Sequence, residues 1–349
     1  MATTWIRRST PYAGMVSAVV ALAINQITSK MAMSNGTSFY ILSVYSNALA
    51  ALFLFPTAYL FHRSKRPPLS FSVLWRIFFL ASFGCFSDMA CYAGVDYSSP
   101  TLSTAMLNLV PAFAYILAVI FRLEEVDFRR LSTIAKSLGT IVSISGAFVV
   151  TFYNGPAILN KPLTPGSLTQ LYSSSTQNWV LGGFLLASAA LAVASWCILQ
   201  AFILKMYQAE MIVVAFYCLF VTIQSSVVTL IAERDATIWR IDTKIGLIAI
   251  LYSAIINIAC RLYVTAWCIW KKGPFFVALF KPLAIVVVVV IGVIFMKEAL
   301  YLGSLVGAFV LVVGFYAVVW GKSKEEKIND VTESSNYQAL LLQENADEV

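Results

Sequence analysis

Long apolar stretches alternate with short polar breaks along this chain. The stretches lie near 12–31, 39–61, 73–94, 101–121, 134–153, 180–203, 211–231, 246–268, 275–296 and 301–320. Each is close to the roughly 20 residues a helix needs to cross a hydrocarbon layer. The pattern predicts an all-α membrane protein with ten transmembrane helices. The first stretch follows Arg7 and Arg8, but it is too long for the apolar core of a signal peptide and lacks a clear small-residue cleavage site, so it reads as a span. Residues 154–179, rich in Ser, Thr, Pro and Gln, form the longest loop and divide the chain into halves. Residues 1–11 form a short polar start, and the polar, acidic residues 321–349 read as a disordered tail.

The halves, 12–153 and 180–320, resemble each other. Val119-Ile-Phe-Arg-Leu-Glu-Glu125 matches Val293-Ile-Phe-Met-Lys-Glu-Ala299, which places Glu124 over Glu298. Pro100 and Pro274 open the fourth and ninth spans, and Pro111 and Pro282 lie further into them. Gly139 and Gly146 are seven apart in the fifth span, as Gly307 and Gly314 are in the tenth. Seven residues is about two helical turns, so each pair shares a face on which helices can approach closely. Gly303 and Gly307 add a GxxxG. Five spans per copy force the second copy to enter the bilayer from the opposite side. The fold class is therefore two inverted five-helix repeats, an architecture common among secondary transporters. Proline inside a membrane helix frees a carbonyl that needs a partner or a wet cavity. Pro111 and Pro282 are accordingly expected as paired helix breaks beside a substrate site, with tolerated kinks as the alternative.

Composition fits this picture. Of the 349 residues 60% are hydrophobic and only 12% charged, with a mean hydropathy of +0.81. A soluble domain carries about 25% charged residues, so a soluble enzyme, a disordered protein and a secreted disulfide scaffold are excluded. The net charge of +7 reads as topology rather than nucleic-acid binding. With the N-terminus in the cytoplasm, sixteen of the 24 basic residues fall on that side and six on the other, which places both termini inside. The six cysteines lie within apolar stretches and read as small apolar residues.

Ionisable residues at mid-span are costly and point to function. Three occur: Asp88, Arg261 and Lys281. Counted along their spans, the two cations share a level roughly 12 Å inward of Asp88, too far for a direct salt bridge between straight helices. Two cations without an adjacent acid suit an anion such as a substrate carboxylate, for which the arginine fork is well shaped. Three alternatives stay open. Lys281 can snorkel to the inner interface, Arg261 can satisfy carbonyls freed near Pro282, and Asp88 can carry a proton, pair with an ammonium group or pack protonated. Asn25, Asn108 and Asn257 join the cavity-lining candidates, with interhelical hydrogen bonding as their other use. Asn257 and Arg261, four apart, share a helix face.

Other chemistry has little material. His62 is the only histidine, so neither a triad nor a histidine-ligated metal site is expected. A single mid-span aspartate gives no proteolytic dyad, and no glycine-rich Walker loop is present. No enzyme activity, cofactor or metal is expected. The expected partners are a small solute, the lipid bilayer and a second copy of the chain, without nucleic acid.

Pro11-Tyr-Ala-Gly-Met15, Ala105-Met-Leu-Asn-Leu-Val-Pro-Ala112, Val119-Ile-Phe-Arg-Leu-Glu124, Lys136-Ser-Leu-Gly-Thr140 and Tyr153-Asn-Gly-Pro156 resemble the plant nodulin-21-like proteins. These are also called Walls Are Thin-related or UmamiT proteins, and they carry paired EamA domains of the drug/metabolite transporter superfamily. The likeness covers residues 11 to about 320. It implies ten spans, no ATP hydrolysis, and transport of amino acids or related small organic molecules such as auxin. Many members have a Tyr-Arg pair in span two, where this chain reads Tyr45-Ser46. The expectation is a transporter of amino acids or related small organic solutes working by alternating access, facilitative or proton-linked. Its membrane is the plasma membrane first and the vacuolar membrane second. Alternatives are an exporter of auxin or another metabolite, a channel-like pore and a non-transporting membrane partner.

Overall fold

A computed structural model describes residues 2–61, 69–97, 100–124, 131–153, 156–159, 179–232, 239–241, 243–295 and 300–347. The apolar stretches fold as helices α1 (Ala2–Ser34), α2 (Phe39–Phe61), α3 (Phe71–Tyr97), α4 (Pro100–Leu107), α5 (Val110–Ile120) and α6 (Leu131–Phe152) in the first half. The second half holds α7 (Trp179–Met206), α8 (Glu210–Ala232), α9 (Lys244–Tyr252), a π-helical segment (Ser253–Cys260), α10 (Arg261–Lys272), α11 (Pro274–Phe295) and α12 (Leu302–Asp347). Two short strands, β1 (Ala157–Leu159) and β2 (Leu300–Tyr301), pair antiparallel and tie the halves together where α6 ends and α12 begins.

Eight apolar windows among the described residues are long enough to cross a membrane, one each in α1, α2, α3, α6, α7, α8, the α9–α10 run and α12. The two remaining expected spans correspond to α4–α5 and to α11. This is the ten-helix arrangement that the sequence pattern predicts, in an all-helical membrane protein. The packing follows an exchange of halves. α2 packs on α8 and α6 on α12, while α3 on α7 is mirrored by α1 on α10, and α5 on α7 by α1 on α11. The end of the bundle that carries the N-terminus is called the inner end, after the placement that the charge pattern predicts.

The main core lies in the inner half. Met15, Leu54, Ile77, Leu204, Val214, Ala266 and Phe276 are buried together there. Toward the outer end a smaller core joins α1, α2 and α9 through Ala32, Leu42, Ala249 and Ile250, beside helix faces that carry polar side chains.

Of the two expected helix breaks one is present, and two expectations need correction, at Pro282 and in the tail. Pro111 sits in the first turn of α5, where its missing N–H costs nothing, and the chain breaks just ahead of it at Asn108 and Leu109. Pro282, its counterpart, leaves α11 unbroken. It is buried in the same helix as the enclosed Ala278 and Leu279, and its fixed φ suits a helix, so one lost hydrogen bond is absorbed. The expected disordered tail is helical to Asp347. Its Lys, Glu, Gln, Ala and Leu residues extend a helix already nucleated in the membrane, so no new nucleation is needed. Glu298 and most of the 154–179 loop lie outside the described residues.

The glycines of the two fifth spans face each other. A Cβ on Gly139 would stand 2.8 Å from the Gly314 carbonyl oxygen, and one on Gly146 would stand 2.8 Å from that of Gly307. Gly303 abuts the Tyr153 carbonyl at the outer end of the same pair. Backbone thus meets backbone along the α6–α12 contact.

Candidate functional site

A cavity of about 280 Å³ runs from mid-bundle toward the outer end. Asn25 and Ser29 of α1, Phe39, Ser43, Ser46 and Asn47 of α2, and Ser87 and Asp88 of α3 line one side. Trp196 of α7, Tyr217 of α8, Ser253 and Asn257 of the π segment, Arg261 of α10 and Lys281 of α11 line the other. Five of the six residues singled out as pathway candidates therefore meet on one surface: Asn25, Asp88, Asn257, Arg261 and Lys281. Asp88 is exposed and Arg261 and Lys281 are half-buried, which fits side chains open to a water-filled recess. No ion pair joins the three charges.

Asn108 is the exception. It is buried at the α4–α5 break, its Nδ2 without a hydrogen-bond partner among the described residues, and it does not line the cavity. The break faces α7 and α11, where Val110, Ala114, Ala190, Ala194 and Ala278 form a small core. Asn108 and Lys281 each shortly precede the inner proline of their span, by three residues and by one, but only Lys281 borders the cavity.

Local structure explains how the cations are presented. The π segment carries no glycine or proline, and it ends directly before Arg261. Such segments widen a helix and often mark functional sites. The Arg261 Nε donates to the Asn257 backbone oxygen at 2.9 Å and to its Oδ1 at 2.7 Å. This bracing leaves the two terminal nitrogens of the fork without a partner among the described residues. Arg261 and Lys281 also border a second void of about 30 Å³ with Met15, Val19, Thr265 and Phe280. The two cations thus form the floor of the main cavity and the roof of a smaller inner one.

Sequence reasoning misses several lining groups. Tyr217 lies against Gly84 and edge-on to Trp196, with ring centroids 5.9 Å apart. The Trp196 Nε1, the Ser46 Oγ and the Asn25 Oδ1 are buried without hydrogen-bond partners among the described residues. Orphaned polar atoms are uncommon in folded interiors, and all three belong to residues that border the cavity. Gln224, by contrast, is interhelical glue: its Nε2 donates to the Ser82 Oγ at 3.0 Å.

Inward of the small void the bundle is closed. Tyr12 meets Phe276 edge-on at 5.1 Å, Phe276 meets Phe280 at 5.1 Å, and Phe280 meets Phe315 at 4.9 Å. A buried ion cluster lies beyond them. Lys136, with a fully enclosed side chain, places its Nζ 3.0 Å from the Glu124 Oε2 and 2.7 Å from the Glu325 Oε2, and Lys322 pairs with the other Glu124 oxygen. Burial alone would raise the Glu124 carboxyl, but the ammonium groups of Lys322 and Lys136 outweigh it and hold the group below its ordinary value. The cavity is therefore open outward and sealed inward.

Residues 10–152 match the EamA-like transporter family. Three WAT1-related proteins of Arabidopsis thaliana are similar over most of their length. One is 44% identical, covering 88% of this chain and 84% of its own. A second is 40% identical, covering 95% and 92%. A third is 39% identical, covering 95% and 93%. One crystal structure shares the fold with a TM-score of 0.69 at 14% identity, covering 91% of this chain and 99% of that one.

Proposed function

Because the chain belongs to the Walls Are Thin-related, EamA-like transporters, integral membrane proteins that move small solutes, we propose that it exports amino acids or closely related organic solutes by alternating access, facilitative or proton-linked, at the plasma membrane. One observation carries this reading: Asp88, Arg261 and Lys281 line a single cavity that opens outward and ends inward against closed packing. The braced Arg261 fork suits a carboxylate. Asp88 suits an ammonium group, which amino acids carry and auxin lacks. The void behind the two cations means that the bound carboxylate can keep its partners while the closed side opens and the open side closes. Binding then shifts the balance between the two arrangements of the repeats.

The test is purified protein in liposomes with a panel of labelled amino acids and auxin, with and without a pH gradient. Saturable exchange with counterflow is the expected behaviour, and unsaturable flux would identify a pore instead. In this assay Arg261→Ala should lose about 2 kcal/mol or more of solute binding, roughly a thirtyfold fall in apparent affinity. Lys281→Ala should fall in the same direction. A fluorescent fusion controls for surface expression and reads the membrane directly. Normal exchange in both variants would remove the carboxylate role.

A further inference from the structure

The charges in the cavity do not balance. Its lining holds one carboxylate, Asp88, against one guanidinium and one ammonium, Arg261 and Lys281. None of the three forms an ion pair among the described residues, and the side-chain partner held by Arg261 is the neutral Asn257 amide. The acids of the inner cluster, Glu124 and Glu325, are already engaged by Lys136 and Lys322 and lie beyond the aromatic closure. Among the described residues no other acid lines either cavity.

A neutral zwitterion satisfies two of these groups. Its ammonium meets Asp88 and its carboxylate meets the Arg261 fork. Lys281 is then left as an uncompensated cation in a site from which water has been displaced, where an unpaired charge is strongly penalised. A solute bearing one more negative charge leaves no charge alone. From this we infer, resting on the amino-acid reading of the site, that the cavity is built for acidic amino acids: the α-carboxylate on Arg261, the ammonium on Asp88 and the side-chain carboxylate on Lys281. The division of labour between the cations follows their chemistry. Arg261 is fixed by Asn257 and presents a planar fork at the end of the π segment, which suits the α-carboxylate common to all substrates. Lys281 carries a point charge on a flexible stem, which tolerates side-chain acids at different reach. The orphaned Asn25 Oδ1, Ser46 Oγ and Trp196 Nε1 supply neutral hydrogen-bonding positions around the same solute.

Glutamate and glutamine test this directly, since they have nearly the same shape and differ by one charge. In liposomes holding the full-length protein, each is used to compete for counterflow of labelled glutamate and of labelled glutamine. Glutamate is expected to compete at a concentration at least about tenfold lower than glutamine. Lys281→Met should bring that ratio to within about twofold, and Lys281→Arg should retain the preference. The ratio is internal to each preparation, so it does not depend on how much protein folds. Glutamine competing as well as glutamate in the unaltered protein would overturn the inference and leave the amino-acid reading standing. A preference that survives Lys281→Met would overturn the assignment to Lys281. Failure of both solutes to exchange would overturn the amino-acid reading itself.

Discussion

Lys136→Met is expected to lower the stability of the purified protein by about 3–5 kcal/mol, the range seen when one partner of a buried ion pair is removed. In a thermal melt in detergent this is a fall on the order of 10 °C. Lys136 is enclosed completely and is the ammonium shared by Glu124 and Glu325. Methionine fills similar space, so the loss is electrostatic rather than a cavity effect. Glu124 keeps Lys322, whereas Glu325 is left charged and half-buried with no ion-pair partner among the described residues. Adding Glu325→Gln to Lys136→Met should therefore recover part of the loss. Equal losses in the single and double variants would mean that the charges do not carry it. Acid should act on the same cluster. Glu124 binds its proton less readily in the folded protein than in the unfolded one, so its stabilisation is complete above its ordinary carboxylate range and disappears as pH falls through its lower folded value. Melts taken at decreasing pH should show this acid limb, and Lys136→Met should make it shallower and move its lower end to higher pH, because one of the two ammonium groups holding the proton off is gone.

The contrast between this cluster and the cavity shows what a sequence makes readable. Asp88, Arg261 and Lys281 are legible because an ionised group inside an apolar stretch is expensive and needs a reason. Asn257 is legible through its spacing from Arg261, and the π segment preserves that contact although the helix there is wider. Lys136 is not, since at the inner end of a span it counts only as one more positive charge on the cytoplasmic side. Its burial depends on Glu325, which is 189 residues away. The cavity hydroxyls are hidden for another reason. Serine and threonine in a helix can satisfy themselves on the preceding turn, as Ser225 and Thr229 do on Val221 and Ser225, so Ser46 and Ser87 carry no signal of what they face. Trp196 and Tyr217 look like any packing aromatic. The repeat is informative about which helices correspond and misleading about their detail. It pairs Pro111 with Pro282 as the inner prolines of the fourth and ninth spans, yet only the first half breaks its helix there, and of the polar residues just ahead of them only Lys281, not Asn108, borders the cavity.

Gly146→Leu should be the other large effect, because the α6–α12 contact leaves no room that a neighbour could yield. A Cβ at Gly146 would lie 2.8 Å from both the Gly307 carbonyl oxygen and the Leu311 Cα. These are backbone atoms, and no rotamer change relieves them. The same holds about two turns inward, where a Cβ on Gly314 would lie 2.7 Å from the Gly139 carbonyl oxygen and 2.8 Å from the Ser143 Cα. A leucine therefore has to push two whole helices apart, at the upper end of the roughly 1–3 kcal/mol usual for overpacking or beyond it. Alanine at the same place should produce a smaller loss of the same kind. Gly183→Ala is the control, since the nearest atom a Cβ would meet there, on the Leu102 side chain, is 4.0 Å away, and it should melt with the unaltered protein. Because α6 and α12 come from opposite repeats and are also joined at the inner end through Lys136 and Glu325, separating them should expose the buried cluster as well. Gly146→Leu combined with Lys136→Met should then cost less than the sum of the two alone, as expected for sites coupled through one interface. Strict additivity in that double variant would show that the glycine seam and the ion cluster hold the helices independently.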